Sequence, residues 1–151
     1  MKKNISEAAG LAGYSLTGAV SGLFFNLVIL HSPLVNIFPY YTEHFAEKTF
    51  AVDIISGILI YCIAAPVLEE FIFRFFLYNR IYSQTGFAAA AVISSLIFGA
   101  YHMNMIQGIY AFIMGMIFCC FYYRDHRICV PCLMHSGANL AVWMLSDKVF
   151  F

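Results

Sequence analysis

The chain contains 151 residues, of which 62% are hydrophobic and 11% are charged. A typical soluble domain has about 45–50% apolar and about 25% charged residues, so one soluble core would leave too little interior for this apolar surface. The formal net charge is zero, and no basic or acidic excess indicates a nucleic-acid partner. We therefore expect a single all-α integral membrane domain, a polytopic helix bundle, over residues 1–151.

Five apolar runs are candidates for membrane-spanning helices, because one crossing needs about 20 predominantly apolar residues. They cover residues 11–30, 54–68 with an extension toward residue 78, 87–103, 106–123 and 128–145. The first run follows lysines, but it is longer than the core of about 7–15 residues in a signal peptide, so we expect an uncleaved helix. Pro66 in the second run lacks a backbone N–H, which predicts a kink or a break there.

The positive residues predict the orientation of the bundle, because Lys and Arg are enriched in cytoplasmic loops. With a cytoplasmic N-terminus, five crossings leave only Lys48 and Lys148 outside. The remaining positive residues, on or toward the inside, are Lys2, Lys3, Arg74, Arg80, Arg124 and Arg127. The sequence therefore predicts a multi-pass protein with a cytoplasmic N-terminus.

Three ionisable residues, Glu69, Glu70 and Arg74, interrupt the second apolar run. An ionisable side chain at the centre of a membrane helix costs about 2.5–3.5 kcal/mol on insertion scales, so each one needs a partner or a function. Glu70 and Arg74 are four residues apart on one helical face and can form a charge-assisted pair. Glu69 points about 100° away from Glu70. Its partner is therefore expected on another helix.

His102, His135 and Asn139 are the candidate partners of Glu69. His135 and Asn139 are four residues apart, so the imidazole and the amide share a helical face. The small residues at 136–138 would let a neighbouring helix approach closely. His102 is expected nearer the outer side than the others, and it joins them only if its helix tilts or breaks near Asn104.

The chemistry of these side chains indicates hydrolysis. A desolvated carboxylate beside imidazoles can take a proton from water. Histidine and asparagine donors can stabilise an oxyanion as it forms. A glutamate pair, two histidines and an asparagine on three separate spans are therefore a candidate catalytic centre.

The five cysteines give neither a disulfide framework nor a convincing metal site. Cys129 and Cys132 are flanked by His126 and His135, but steps of three residues along a helix drift by about 60° each, so the two histidines lie on opposite faces. Pro131 fits the first turn of a helix that begins one residue earlier. We expect all five cysteines to be buried thiols packed among apolar side chains.

Three motifs resemble those of the CPBP family, the CAAX protease and bacteriocin-processing intramembrane proteases that include the type II CAAX prenyl endopeptidases. The family motifs are E-E-x-x-x-R, F-x-x-x-H and H-x-x-x-N. In this chain they read Glu69-Glu70-x-x-x-Arg74, Phe98-x-x-x-His102 and His135-x-x-x-Asn139, in the family's order. The matching stretch, residues 66–139, covers about half of the chain.

The resemblance implies an intramembrane endopeptidase in which a glutamate activates water, one histidine helps to position that water, and a histidine and an asparagine stabilise the oxyanion. In that order these residues are Glu69, His102, His135 and Asn139, with Glu70 and Arg74 holding the site together. The implied partners are the lipid bilayer and a substrate with a membrane-associated segment, such as a secreted peptide or a bacteriocin precursor. The implied location is the bacterial inner membrane.

Two features depart from the family pattern. Phe75 follows the motif arginine where the family commonly has glycine, and many members carry more helices than the five expected here.

The cofactor requirement has two readings. Two histidines and a glutamate could ligate zinc with one open position, but the glutamates do not form an H-E-x-x-H motif. We expect a glutamate mechanism without a cofactor, and a zinc-dependent form of the same protease is the alternative.

Two further functions are also compatible with these residues. One is a non-catalytic membrane protein that binds peptides, such as a bacteriocin immunity factor. The other is an ion or proton carrier, since buried glutamates and histidines also build relays.

Overall fold

The structure is a computed structural model that describes the backbone of residues 2–38 and 52–149 and the side chains of residues 7, 9–38 and 52–145. All regular structure within these residues is helical, which confirms the predicted all-α class. The helices, numbered here along the described chain, are α1 Lys2–Leu30, the short α2 Leu34–Ile37, α3 Ile54–Thr85, α4 Phe87–Tyr101, α5 Met105–Asp125 and α6 Cys129–Val149. The five long helices coincide with the five predicted apolar runs.

Three helices are long and apolar enough to cross a membrane by length and composition. They are Ala9–Leu30, Ile54–Thr85 and Met105–Asp125, and the shorter apolar helices are Phe87–Tyr101 and Cys129–Leu145. The number of crossings and the cytoplasmic N-terminus stay predictions. The lysine side chains on which the orientation partly rests, at positions 2, 3, 48 and 148, lie outside the described residues.

Helix α3 begins at Ile54 because Asp53 caps its first turn. The Oδ1 atom of Asp53 accepts a hydrogen bond from the backbone N–H of Ser56 at 3.1 Å, which satisfies a donor that has no partner within the helix. The hydrogen bonds from Ser56 lower the pKa of Asp53 from its usual value.

Helix α3 runs through Pro66 without ending, so of the predicted kink or break the break does not occur. Wide π-helical turns at Ile58–Ala64 and Phe71–Tyr78 flank the α-helical segment Ala65–Glu70. In the first of them the backbone N–H of Ala65 donates five residues back, to the carbonyl of Ile60. In such turns each backbone N–H bonds to the carbonyl five residues earlier instead of four. The chain can therefore stay helical although proline has no N–H to donate.

Helices α1 and α6 pack with their backbones in close contact. A Cβ atom on Gly18 would overlap the carbonyl of Met134, and one on Gly137 would overlap the carbonyl of Ser15. A Cβ atom on Gly22 would lie 2.7 Å from the Cβ atom of Ala138. The close approach predicted for residues 136–138 is therefore confirmed, and α1 is its partner.

A polar contact ties α1 to the turn between α5 and α6. The hydroxyl of Tyr14 donates to Oδ2 of Asp125 at 2.7 Å, and Arg127 also contacts this carboxylate. Helix α1 is thus anchored at this turn as well as along α6.

The connection between α4 and α5 is a tight turn next to Asn104, so of the two alternatives for His102, a tilt or a break, the break is present. Helix α4 ends at Tyr101, and Met103 takes the left-handed conformation with a φ of 55°. Asn104 then caps α5, because its Oδ1 atom accepts a hydrogen bond from the backbone N–H of Gln107 at 3.1 Å. The two helices cross closely, and a Cβ atom on Gly99 would lie 2.6 Å from the carbonyl oxygen of Gly108.

Helix α6 begins at Cys129, one residue before the predicted start, and Pro131 lies in its first turn. All five cysteines are free thiols. Cys62 and Cys119 are buried as predicted, but Cys120 and Cys129 are exposed. The prediction was wrong for these two residues because an apolar run does not show which face of the helix is buried.

Replacing Gly18 with alanine should destabilise the bundle, because the new methyl group would overlap the backbone of α6. Only a separation of the two helices would remove this overlap. We expect a loss of about 1–3 kcal/mol, measured by denaturant unfolding in detergent micelles.

The matched control is Gly13→Ala on the same helix, where a Cβ atom meets nothing within 4 Å. This variant should be unchanged or slightly more stable, because alanine favours the helix by about 0.5–1 kcal/mol over glycine. Equal effects of the two substitutions would contradict the close packing of α1 on α6.

Candidate functional site

One cavity of about 250 Å³ lies among helices α1, α3, α4, α5 and α6. Four of the six residues predicted for the site line it, and they come from the two helices α3 and α6 and from the residue that follows α4. They are Glu69, His102, His135 and Asn139. The structure thus brings together side chains that are up to 70 positions apart in the sequence.

The other two predicted residues, Glu70 and Arg74, form a fully buried ion pair beside the cavity. The Nε atom of Arg74 lies 3.0 Å from Oε2 of Glu70, and both side chains are 0% exposed. The other carboxylate oxygen of Glu70, Oε1, lies 2.9 Å from Nδ1 of His135. The predicted pairing of Glu70 with Arg74 is confirmed, and the pair also connects α3 to α6.

Aromatic rings and a glycine surround the guanidinium group of Arg74. Its central carbon lies 4.4 Å from the ring centroid of Phe98 and 5.5 Å from that of Phe118. A Cβ atom on Gly115 would lie 2.9 Å from Nη2 of Arg74, so only glycine leaves room for the guanidinium. The ring faces attract its positive charge, and this attraction is stronger where water is excluded.

Glu69 reaches the cavity from the neighbouring position of α3. Its Oε2 atom lies 3.7 Å from Nε2 of His135, and its side chain is 17% exposed, against 7% for His135. The predicted partner on another helix is therefore His135. A water molecule within hydrogen-bond distance of both atoms is compatible with this separation.

His135 presents its two ring nitrogens to the two glutamates. A carboxylate only accepts hydrogen bonds, so the contact with Glu70 makes Nδ1 the donor and directs Nε2 toward Glu69. The ring packs against Phe118 with centroids 5.1 Å apart and edge-on to Phe98 at 5.7 Å. These contacts fix the plane of the imidazole.

His102 enters the cavity from the C-terminal end of α4. Its Nδ1 atom lies 2.9 Å from the carbonyl oxygen of Phe98, one helical turn earlier. The two rings are edge-on, with centroids 5.0 Å apart. Since Phe98 also contacts His135 and Arg74, the phenylalanine of the F-x-x-x-H motif packs between both histidines and the ion pair.

Asn139 lies one helical turn beyond His135 on α6. Its Nδ2 atom donates a hydrogen bond to the carbonyl of Tyr61 at 2.9 Å. Tyr61 belongs to the first π-helical turn of α3. This contact uses one of the two amide hydrogens and leaves the other available to a group in the cavity.

Several residues that line the cavity lie outside the three motifs and were not predicted as site residues. They include Asn26, Tyr110 and Trp143. Asn26 lies within the first apolar run, so the polar side chain in a predicted membrane helix was the available signal.

The described residues contain no group of three or more His, Cys, Asp or Glu side chains placed to hold a metal ion together. The side chains predicted as alternative zinc ligands are Glu69, His102 and His135. Their donor set as folded therefore does not fit a zinc site with three protein ligands.

Comparison with known proteins shows the family to which the chain is similar. The family description "Type II CAAX prenyl endopeptidase Rce1-like" matches residues 51–141, which include all three motifs. The chain is 32% identical over 138 residues to "Putative membrane peptidase YdiL" of Bacillus subtilis (strain 168), covering 86% of this chain and 56% of that protein. It is 30% identical over 130 residues to an uncharacterized 24.3 kDa protein of Escherichia coli, covering 82% and 59% respectively.

The chain thus spans less than two thirds of the length of these two relatives. No solved structure matches it at significant similarity.

Neutralising one member of the buried ion pair should cost more stability than neutralising both. Glu70→Gln leaves an uncompensated guanidinium and Arg74→Met leaves an uncompensated carboxylate, and we expect each to cost about 3–5 kcal/mol. The double variant carries neither buried charge, so its loss should be smaller than that of either single variant and well below their sum.

This cycle is measured by denaturant unfolding in detergent micelles. Additive losses would mean that the two charges do not compensate each other in the folded protein.

Proposed function

The chain belongs to the Rce1-like type II CAAX prenyl endopeptidase family, and on that basis we propose that it is an intramembrane endopeptidase. The proposed reaction is hydrolysis of a peptide bond in a membrane-associated peptide or protein. One observation supports it most strongly: Oε2 of Glu69 lies 3.7 Å from Nε2 of His135 in a cavity that Asn139 and His102 also line.

In the first step Glu69 acts as the general base. Its carboxylate takes a proton from a water molecule while the water oxygen adds to the carbonyl carbon of the scissile peptide bond. The partly exposed position of Glu69 at the cavity suits this role, because the base must reach water. His102, which lines the same cavity, would position that water molecule.

In the tetrahedral intermediate the former carbonyl oxygen carries a negative charge, which His135 and Asn139 would stabilise by donating hydrogen bonds. Asn139 can donate its second amide hydrogen while it stays bonded to Tyr61. Since Nδ1 of His135 donates to Glu70, Nε2 can donate only when the ring carries a second proton. The oxyanion role of His135 therefore requires the imidazolium form.

In the last step Glu69 returns the proton to the amide nitrogen, and the carbon–nitrogen bond breaks. The products are a carboxylic acid and an amine, and no other reactant is consumed. Glu70 and Arg74 act as positioning residues in this scheme, because they orient His135 and do not reach the reacting atoms.

The proposed substrates are peptides or proteins with a membrane-associated segment, such as secreted peptides or bacteriocin precursors. The proposed location is the bacterial inner membrane, with several crossings and a cytoplasmic N-terminus. Three apolar helices long enough to span a bilayer support the membrane setting, and both relatives come from bacteria.

The glutamine variant of the proposed base tests this mechanism directly. Glu69→Gln keeps the size of the side chain but removes the basic carboxylate, so cleavage should fall by at least about 100-fold, with unchanged unfolding in detergent. Cleavage is measured by mass spectrometry on a peptide library added to proteoliposomes.

The matched control for that experiment is Glu7→Gln, which changes a glutamate that is 63% exposed and outside the cavity. This variant should cleave like the unmodified protein. Unchanged turnover in Glu69→Gln would rule out the proposed base.

We propose further that the reaction needs no metal cofactor. Treatment with EDTA or 1,10-phenanthroline should leave the cleavage rate within about twofold, since Glu69 supplies the base and side-chain donors bind the oxyanion. Loss of activity that zinc restores would replace this mechanism with the zinc-dependent one.

A further inference from the structure

Two primary amide side chains line the cavity outside the three motifs. They are Asn26 on α1 and Gln107 on α5. Neither side chain makes a hydrogen bond to another residue that the structure describes, although the backbone N–H of Gln107 is bound by the Asn104 cap. Both amides are partly exposed, so their polar atoms can be reached by a molecule in the cavity.

The two amides are held by rigid parts of the bundle. Gln107 lies in the first turn of α5, directly after Ile106, and Asn26 lies one helical turn before Ile29 on α1. Ile29 and Ile106 belong to one buried cluster and are 5% and 2% exposed. The amides therefore extend into the cavity beside a packed contact between α1 and α5.

The cavity around these amides is mainly apolar. The apolar residues that line it include Ile29, Leu30, Ala111, Met114 and Val142. A primary amide without a hydrogen-bond partner is costly in apolar surroundings, so these two side chains require water or a ligand. Each offers one carbonyl acceptor and two N–H donors and carries no charge.

A peptide main chain can pair with these groups, since each residue other than proline offers one N–H donor and one carbonyl acceptor. Inside a membrane every such group must find a partner, and a helix satisfies them internally. A peptide bond must leave the helix to be attacked, which frees the donors and acceptors next to it. The protein must then supply the missing partners.

We propose that Asn26 and Gln107 bind main-chain N–H and carbonyl groups of the unwound substrate next to the scissile bond. This inference rests on the proposed endopeptidase function. The two amides are positioning residues that recognise the peptide backbone, so they favour no particular substrate side chain. The apolar lining then accepts uncharged side chains.

The chain contains one tryptophan, Trp143, and it lines this cavity. Its fluorescence therefore reports binding without any need for cleavage. The probes are N-acetyl-leucyl-leucine methylamide and its counterpart with every amide nitrogen methylated, which has the same side chains but no N–H donors. Binding is measured in detergent micelles with the Glu69→Gln variant, so that the probe is not consumed.

The Glu69→Gln protein should bind the N–H probe at least about tenfold more tightly than the methylated probe, since one hydrogen bond contributes about three- to tenfold. Adding Asn26→Leu or Gln107→Met, which keep the side-chain size but remove hydrogen bonding, should reduce this ratio to within about threefold. If either variant does not fold, Asn26→Ala and Gln107→Ala replace them.

The matched controls are Asn36→Leu and Gln84→Met, which change exposed amides outside the cavity. Both should keep the full ratio. Differences in the partitioning of the probes into micelles cancel between variants, because every protein is measured in the same detergent with the same two probes.

In the protein that retains Glu69, the Asn26 and Gln107 variants should raise KM with little change in kcat. An unchanged binding ratio in both variants, or no binding of either probe, would overturn the inference. If the ratio falls as expected but Glu69→Gln still cleaves peptides, the proposed mechanism fails while the backbone-binding site stands.

Discussion

The absence of water inside a membrane is the constraint on which this structure depends, and the ion pair of Glu70 with Arg74 is where it acts most strongly. Both side chains are fully buried, and either charge alone would be very costly there. Because the two residues are four positions apart, one helix supplies each charge with its main partner. The second oxygen of Glu70 and the faces of the guanidinium still need partners, which must come from α6, α4 and α5.

The partners of Glu70 and Arg74 on the other helices orient the side chains of the candidate site. The free oxygen of Glu70 takes the Nδ1 hydrogen of His135, which turns Nε2 toward Glu69. The guanidinium of Arg74 lies against Phe98, whose ring also contacts both histidines. A buried charge pair and one aromatic ring thus hold side chains from three helices in fixed relative positions. Such positioning by surrounding residues is what a hydrolytic centre requires.

Apolar runs were sufficient to predict the five long helices, and local spacing with the cost of buried charge predicted the Glu70 pairing and the partner of Glu69 on another helix. They could not predict which face of each helix is buried, because lipid and protein core are both apolar and periodicity carries little information. Cys120, Cys129, Trp143 and Asn26 were misjudged or overlooked for this reason. The continuity of α3 through Pro66 depends on π-helical turns, which no residue pattern predicts.

The same constraint separates the buried supporting groups from the groups to which we assign a role toward the substrate. Glu70 and Arg74 are 0% exposed, His135 is 6% exposed, and all three are bound to one another. Glu69, Asn26 and Gln107 retain accessible polar atoms at the cavity. Phe75, where the family commonly has glycine, is 43% exposed and stacks on Phe71 at 4.8 Å. It lies outside this network, so the departure leaves the ion pair and the cavity intact.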